Sequence, residues 1–119
     1  MYNLVSIGDK EVPMMAMASV DVYYRNIFHE DPVKREASLD DAADAVDFYT
    51  RMGFVMAKFA ELKSREKMKE LNEDSFIDWL DGFDRMDMAN ALTDVQLTYN
   101  GQAVTHADAK KNNDEPSAE

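Results

Sequence analysis

The sequence predicts a mainly α-helical domain of about four helices, with a short N-terminal β-hairpin before it and a disordered C-terminal tail after it. The chain has 119 residues, the length of one domain, and 45% of them are hydrophobic, which supplies one core without disulfides. Beyond residue 38, apolar side chains recur at helical spacing behind helix-capping residues. The end of the chain is small and polar. We therefore expect a helical domain over residues 1–101 and a flexible tail over residues 102–119.

The N-terminal segment predicts a hairpin followed by a short helix. Two apolar runs flank a turn at Gly8 and Asp9. Pro13 predicts that its strand lies at an edge of the sheet, because proline has no N–H to donate. Ser19 is the predicted cap of the first helix, which we expect to stop before Pro32. Residues 34–37 are expected to form a polar connector.

A long central helix is predicted to begin behind Ser38, which has the acidic Asp41 three residues after it, as in a capping motif. The apolar residues of this helix form two stripes, so we expect more than one neighbour to cover it. Gly53 either costs about 1 kcal/mol of helix propensity or permits a close helix crossing. Cations gather in residues 63–69 at its C-terminal end, where the helix dipole favours them.

Two further helices are predicted toward the end of the domain. Asn72 precedes two acidic residues, which predicts a helix start because the cap accepts a free N–H and the acids face the positive end of the dipole. Asp84 is the predicted cap of the last helix, and Gly101 is its predicted left-handed end. We assign to the core the following apolar residues: Val55, Met56, Phe59, Trp79, Leu80 and Phe83.

The charge of the chain excludes several classes of function. Asp and Glu number 24 against 13 Lys and Arg, so the net charge is −11. This sign opposes the binding of nucleic acid and of anionic membrane surfaces. The N-terminus MYNLVSIGDKEV has neither a basic leader nor an apolar signal segment, and no apolar stretch is long enough to span a membrane. We therefore expect a soluble cytoplasmic protein without nucleic acid or membrane partners.

The sequence offers little chemistry that a catalyst could use. His29 stands beside Glu30 and Asp31, but no other ligand occurs at a metal-binding spacing, so we interpret the trio as a surface helix end. Ser64 and Lys67 match an S-x-x-K pattern whose partner motifs are missing. The recurring aspartates of residues 74–87 lack the alternate spacing of an EF-hand loop. We expect no enzyme activity, no metal and no cofactor.

Three segments carry a resemblance to a known family. They read KEVPMMAMASVDVYYRNIFHEDP at residues 10–32, FVMAKFAE at residues 54–61, and DSFIDWLDGFDRMDMANALTDVQLTYNGQ at residues 74–102. In their residues, order and spacing they resemble the tail assembly chaperones of long-tailed bacteriophages and prophages of Gram-positive hosts. In that family a glycine often follows the Ile-Phe pair of the first helix, where this chain has His29.

The resemblance implies a small helical protein that holds the tape measure protein while tail tube subunits polymerise around it. It also implies a homo-oligomer, and a longer frameshifted product whose extra domain recruits the tail tube protein. Such a protein would act in the host cytoplasm and would not be part of the virion. The C-terminal tail would then be a flexible linker close to the frameshift junction.

A chaperone for a long helical partner must cover apolar stripes reversibly, and helix-in-groove contact suits that task. The nine methionines either fill gaps in the core or line such an adaptable surface. We hypothesise that methionine and aromatic side chains outside the core form the partner or self-association surface. The candidates are Met14, Met15, Met17, Tyr23, Tyr24, Phe28, Met86 and Met88.

An acidic inhibitor that imitates nucleic acid and blocks a DNA-binding protein is the alternative from another class. The net charge of −11 permits it. Many of the acids, however, lie at predicted helix starts, and Lys110 and Lys111 interrupt the acids of the tail. The tape measure chaperone is therefore the first hypothesis and the acidic inhibitor the second.

Overall fold

The structure, a computed structural model, describes residues 1–104. The hairpin packs on both the long helix and the last helix. The elements are β1 (Tyr2–Ile7), β2 (Lys10–Met15), α1 (Val20–Phe28), α2 (Pro32–Ala37), α3 (Ala42–Leu62), α4 (Arg65–Met68), α5 (Glu73–Leu80) and α6 (Arg85–Tyr99). This confirms the predicted class of a mainly helical domain with an N-terminal hairpin. The described residues contain six helices instead of about four. Two short helices are additional: α2 lies where we expected a connector, and α4 lies where we expected the cationic C-terminal end of the long helix.

The first of these short helices, α2, corrects the prediction of a polar connector over residues 34–37. The Asp31 side chain accepts a hydrogen bond from the Val33 N–H at 3.0 Å, and Pro32 takes the first helical position, where a missing N–H costs nothing. Pro32 therefore starts a helix, while α1 already ends at Phe28. In the second short helix, α4, the Ser64 hydroxyl accepts from the Lys67 N–H at 3.2 Å.

Two predicted helix starts need correction. Ser19 precedes α1, but its side chain makes no capping hydrogen bond. The cap of α3 is Asp41, whose carboxylate accepts from the Asp44 N–H at 2.9 Å, and Ser38 instead ends α2. The segment before α3 contains Ser38, Asp40 and Asp41, so sequence alone placed the start of that helix within one turn but did not identify the residue that bonds.

The predicted starts of α5 and α6 are confirmed. Asn72 accepts from the Ser75 N–H at 3.0 Å, and Ser75 accepts in return from the Asn72 N–H at 3.2 Å, so the two form a capping box. Asp84 accepts from the Met86 N–H at 3.0 Å. Gly101 follows the end of α6 with a φ of +80°, as a left-handed terminus requires.

The hairpin places one face on the helices and the other toward solvent. Its strands are antiparallel and pair Tyr2 with Met15 through Ile7 with Lys10, around a turn at Gly8 and Asp9. Val5 and Ile7 point into the core, whereas Tyr2 and Leu4 are exposed. Since β1 packs on α6 and β2 on α3, the hairpin covers both helices at once.

The central helix α3 is covered by several neighbours, as its two stripes predicted. Its middle is continuously buried from Met52 to Ala57. Val55 and Met56 are fully buried, whereas the other four residues that we assigned to the core are partly buried at its margin. A Cβ added to Gly53 would lie 3.4 Å from the nearest Val95 methyl, an ordinary contact, so the crossing of α3 and α6 has room for alanine.

The segment behind α6 is bonded to the domain for at least three residues. The buried Asn3 side chain donates to the Thr98 hydroxyl at 2.8 Å and to the Gln102 carbonyl at 3.0 Å. It also accepts from the Val104 N–H at 3.3 Å. Residues 102–104 therefore belong to the domain, which corrects the predicted boundary at residue 101, and the remainder of the predicted tail lies outside the described residues.

Two helices end on residues with left-handed backbone that are not glycine. His29 has a φ of 60° behind α1, and Lys63 has a φ of 50° behind α3. The His29 N–H donates to the Arg25 carbonyl at 2.8 Å, which closes the last turn. This conformation costs a residue with a Cβ about 1–2 kcal/mol. His29 thus stands where a glycine would be free of strain.

Gly8→Ala should destabilise the fold more than Gly101→Ala. Both glycines have positive φ, so both variants lose about 1–2 kcal/mol to the left-handed backbone. A Cβ on Gly8 would also clash with the carboxylate of Asp87 on α6, whereas one on Gly101 meets nothing within 4 Å. Urea unfolding of both variants measures the difference, and equal losses would show that the Asp87 side chain moves away from the added methyl at no measurable cost.

His29→Gly should raise the free energy of unfolding by about 1 kcal/mol, because glycine adopts the left-handed terminus of α1 without the Cβ penalty. The control is Asn26→Gly, an exposed position inside the same helix, which should lower stability by about 0.5 kcal/mol. Urea unfolding at neutral pH measures both. A loss of stability in His29→Gly would show that the imidazole makes a contact worth more than the strain.

Candidate partner-binding groove

An open groove of about 720 Å³ lies between the first half of α3, the end of α5 and the start of α6. Its floor contains the buried side chains of Phe76 and Met88. Its sides contain the half-buried Leu80 and Phe83. The remaining lining residues are Ala43, Val46, Asp47, Thr50, Asp84, Arg85, Met86 and Ala89. The interior is therefore mainly apolar, and charged side chains stand at its border.

Two apolar side chains in the groove are unusually exposed. Val46 on α3 is 43% exposed, and Met86 on α6 is 54% exposed. They stand on different helices that line the same groove, so the space between them is bordered by apolar surface from both sides. A cleft with an apolar lining and a few polar groups at its edge is the usual form of a binding site in a protein of this size.

The loop between α5 and α6 is held in place by the hairpin. Lys10 donates to the Gly82 carbonyl at 2.8 Å, and its ammonium lies 5.1 Å from the centre of the Phe83 ring. The Trp79 ring also lies 5.0 Å from the Phe83 ring. Phe83 is thus in contact with both a cation and an aromatic ring, so one side of the groove is preformed.

The α3 side of the groove is held by two arginines. Asp47, which lines the groove, lies 3.4 Å from the Arg35 guanidinium and 3.5 Å from Arg51 Nε. Arg35 also pairs with Asp44, and both arginines reach Glu30, at 3.7 and 3.3 Å. These ion pairs join α2 and the loop before it to α3. Asp44 and Asp47 therefore have internal partners, which accounts for them without any imitation of nucleic acid.

Hydrogen bonds and burial also shift the pKa values of one aspartate and three tyrosines. Hydrogen bonds from Arg35 and from the Asp40 N–H lower the pKa of Asp44 below its usual value. Burial, and then donation to a carboxylate, raises the pKa values of three tyrosines. Tyr24 donates to Glu30, and Tyr49 donates to Glu36 at 2.7 Å. Tyr99 donates to Asp21 at 2.7 Å, so the last helix is tied to the first.

Five of the eight predicted surface residues lie in the core. Met14 and Tyr24 are fully buried, and Tyr23, Phe28 and Met88 are at most 9% exposed. The three aromatic residues share the inner face of α1, which packs on α3, and Phe28 lies 5.2 Å from the Phe76 ring. This burial corrects their assignment to a free partner surface, although Met88 still forms part of the floor of the groove.

The remaining three candidates lie in different places. Met86 lines the groove, Met15 borders a second cleft beside Tyr23 and Phe59, and Met17 is 50% exposed behind the hairpin. The structure therefore brings Met86 and Met88 together and leaves the N-terminal methionines apart from them. Val46, Leu80 and Phe83 were not predicted as groove residues, because the apolar stripes of α3 and α5 were expected to be covered inside the domain.

Within residues 1–104, no group of three or more His, Asp or Glu side chains is placed to hold a metal ion. No helix in the same range is long and apolar enough to span a bilayer. Comparison with known proteins found no family model, curated protein or solved structure that matches this chain.

The tyrosine pKa shifts predict that the protein loses stability in alkali. The folded state holds these protons more tightly than the unfolded chain, whose tyrosines titrate near pH 10. The stabilisation is complete below that pH and is lost as the pH rises above it. Tyr99→Phe should make this decline shallower by about 1.4 kcal/mol per pH unit.

Urea unfolding at a series of pH values from neutral to strongly alkaline measures the slope. Tyr2→Phe is the control, because Tyr2 is 52% exposed on the outer face of the hairpin, and its slope should match that of the unmodified protein. A Tyr99→Phe slope equal to that of the control would contradict the raised pKa of Tyr99 in the folded state.

Proposed function

We propose that this protein is a tail assembly chaperone that binds the tape measure protein and assists tail tube polymerisation. The observation that carries the proposal is the open apolar groove in which Val46 and Met86 are exposed on facing helices. Single exposed apolar residues are common on protein surfaces, but several that line one cleft favour a partner site. The resemblance of three sequence segments to tail assembly chaperones supplies the identity of the partner.

The chemistry of the groove suits a chaperone that must later release its partner. Methionine side chains are flexible and polarisable, so Met86 and Met88 can adapt to helical stripes of different sequence. The groove is open, and an amphipathic helix can lay its apolar face on it through residues at spacings of three and four. Contact along one helical face leaves the rest of the partner free for tube subunits.

The charge of the chain supports the same role. A net charge of −11 opposes nonspecific aggregation of the protein even though each copy exposes apolar area. A loaded complex would inherit this charge and resist aggregation. We further propose, from the resemblance, that the protein forms a homo-oligomer in the host cytoplasm and reaches the tail tube protein through a longer frameshifted product.

Changing Val46 or Met86 to aspartate should weaken binding of the tape measure protein by more than about tenfold, because a carboxylate would be buried against apolar surface. Each variant has a matched control outside the groove. Val33→Asp matches Val46→Asp, since Val33 is 59% exposed on α2. Met17→Asp matches Met86→Asp, since the two methionines are 50% and 54% exposed.

The measurement is capture of the cognate tape measure protein by purified, folded variants, followed by titration of the interaction. Loss of capture in the groove variants and normal capture in the controls is the expected result. Unaltered capture by the groove variants would overturn the location of the site. An unmodified protein that captures no tape measure protein at micromolar concentration would overturn the function.

A further inference from the structure

The methionines of the chain fall into a buried and an exposed class, with Met15 between the two. Five are at most 6% exposed: Met14, Met52, Met56, Met68 and Met88. Three are between 42% and 54% exposed: Met1, Met17 and Met86. An oxidant in solution must touch the sulfur of a methionine to convert it to the sulfoxide. The exposed class is therefore open to oxidation, whereas the folded core protects the buried class.

Met86 is the exposed methionine that lines the groove, and the exposed Val46 lines the same groove from α3. Neither Met1 nor Met17 borders this groove. The Met86 sulfur lies 3.8 Å from Arg85 Nη1, and Arg85 is itself a lining residue. A guanidinium is a charged donor, so it would donate strongly to an oxygen atom added at this sulfur. The surroundings of Met86 therefore suit both the thioether and its oxidised product.

We propose that Met86 is an oxidative modification site that changes the groove from an apolar to a polar binding surface. A lone pair of the Met86 sulfur attacks one oxygen of hydrogen peroxide, and the O–O bond breaks as the S–O bond forms. The proton on the transferred oxygen passes to the departing hydroxide, so the products are methionine sulfoxide and water. Sulfur is oxidised by two electrons, the peroxide is reduced by two, and methionine sulfoxide reductases reverse the modification.

Oxidation changes what the groove can bind. The thioether offers a polarisable apolar contact, whereas the sulfoxide is polar and its oxygen accepts hydrogen bonds. An apolar helical stripe has no donor to offer, so a sulfoxide covered by it loses its bonds to water. Arg85 can donate to this oxygen only by holding the side chain against its own guanidinium, so the apolar contact is lost in either case. The inference rests on the proposed function, because it describes how binding at the site for the tape measure protein would be regulated.

Peptide mapping measures the reactivity of Met86. The full chain is treated with dilute hydrogen peroxide, and mass spectrometry follows the fraction of each methionine that gains one oxygen. Met86 and Met17 should react at similar rates, because they are 54% and 50% exposed. Both should react at least about tenfold faster than Met88, which is buried in the floor of the same groove and is reached only through local opening. A Met86 that reacts no faster than Met88 would overturn the inference.

Binding of a synthetic amphipathic helix measures the effect on the groove. The labelled peptide carries one apolar stripe at spacings of three and four residues, and fluorescence anisotropy gives its affinity for the full chain. Peroxide treatment should weaken binding about fivefold or more, and reductases for both sulfoxide epimers should restore it.

Two leucine variants assign the effect to one sulfur. Met86→Leu keeps an apolar side chain without sulfur, so it should bind the peptide and retain its affinity after peroxide. Met17→Leu is the control, because it removes an equally exposed sulfur outside the groove and should still lose affinity as the unmodified protein does. Equal losses in the two variants, or no binding of the peptide to the unoxidised protein, would overturn the inference.

The oxidation experiment and the capture experiment fail in different ways. A protein that captures the tape measure protein equally well before and after oxidation of Met86 overturns the modification site alone. A protein whose peptide binding responds to oxidation of Met86 but that captures no tape measure protein retains the modification site and overturns the proposed function.

Discussion

Burial of α3 on nearly all sides is the constraint on which the rest of the structure depends. Its middle, from Met52 to Ala57, is continuously buried, and no single neighbouring element is large enough to cover it. The hairpin, α1, α5 and α6 each pack on a different part of its circumference. A helix that is apolar all around is stable only inside such a shell. The arrangement of the other elements follows from the need to complete this shell.

Aromatic contacts connect the shell on one side of α3. The Phe54 ring lies 5.5 Å from Phe76 and 5.7 Å from Trp79, and Phe28 of α1 lies 5.2 Å from Phe76. These rings attach the short helix α5 to both α1 and α3. A helix of eight residues would be marginal by itself, so this packing is what keeps α5 in position beside the groove.

The groove exists because the shell is incomplete over the first half of α3. Near its middle the helix is covered by the hairpin, α1, α5 and α6, but Val46, one and a half turns earlier, faces the space between α5 and α6. Lys10 holds the loop between these two helices, and Arg35 and Arg51 hold the α3 wall. The groove is thus bordered on both sides by contacts that do not depend on an occupant, which reduces the ordering cost of binding.

Much of the fold and part of the site could be predicted from the sequence. Helical spacing and capping residues determine local structure, so the long helix, the caps at Asn72 and Asp84, and the hairpin were all predictable. The two short helices were not, because Pro32 and Ser64 are equally compatible with loops until neighbouring elements fix the backbone.

Only the tertiary structure decided which apolar side chains remain exposed. A helical stripe shows which residues face the same direction but does not show how far a neighbouring element extends over them. Tyr24 and Met14 are therefore buried, while Val46 and Met86, equally apolar in sequence, remain open in the groove. By itself the sequence determined where the four longest helices form and the sign of the charge, because both depend on local composition. The position of the groove depends on contacts between residues distant in the chain.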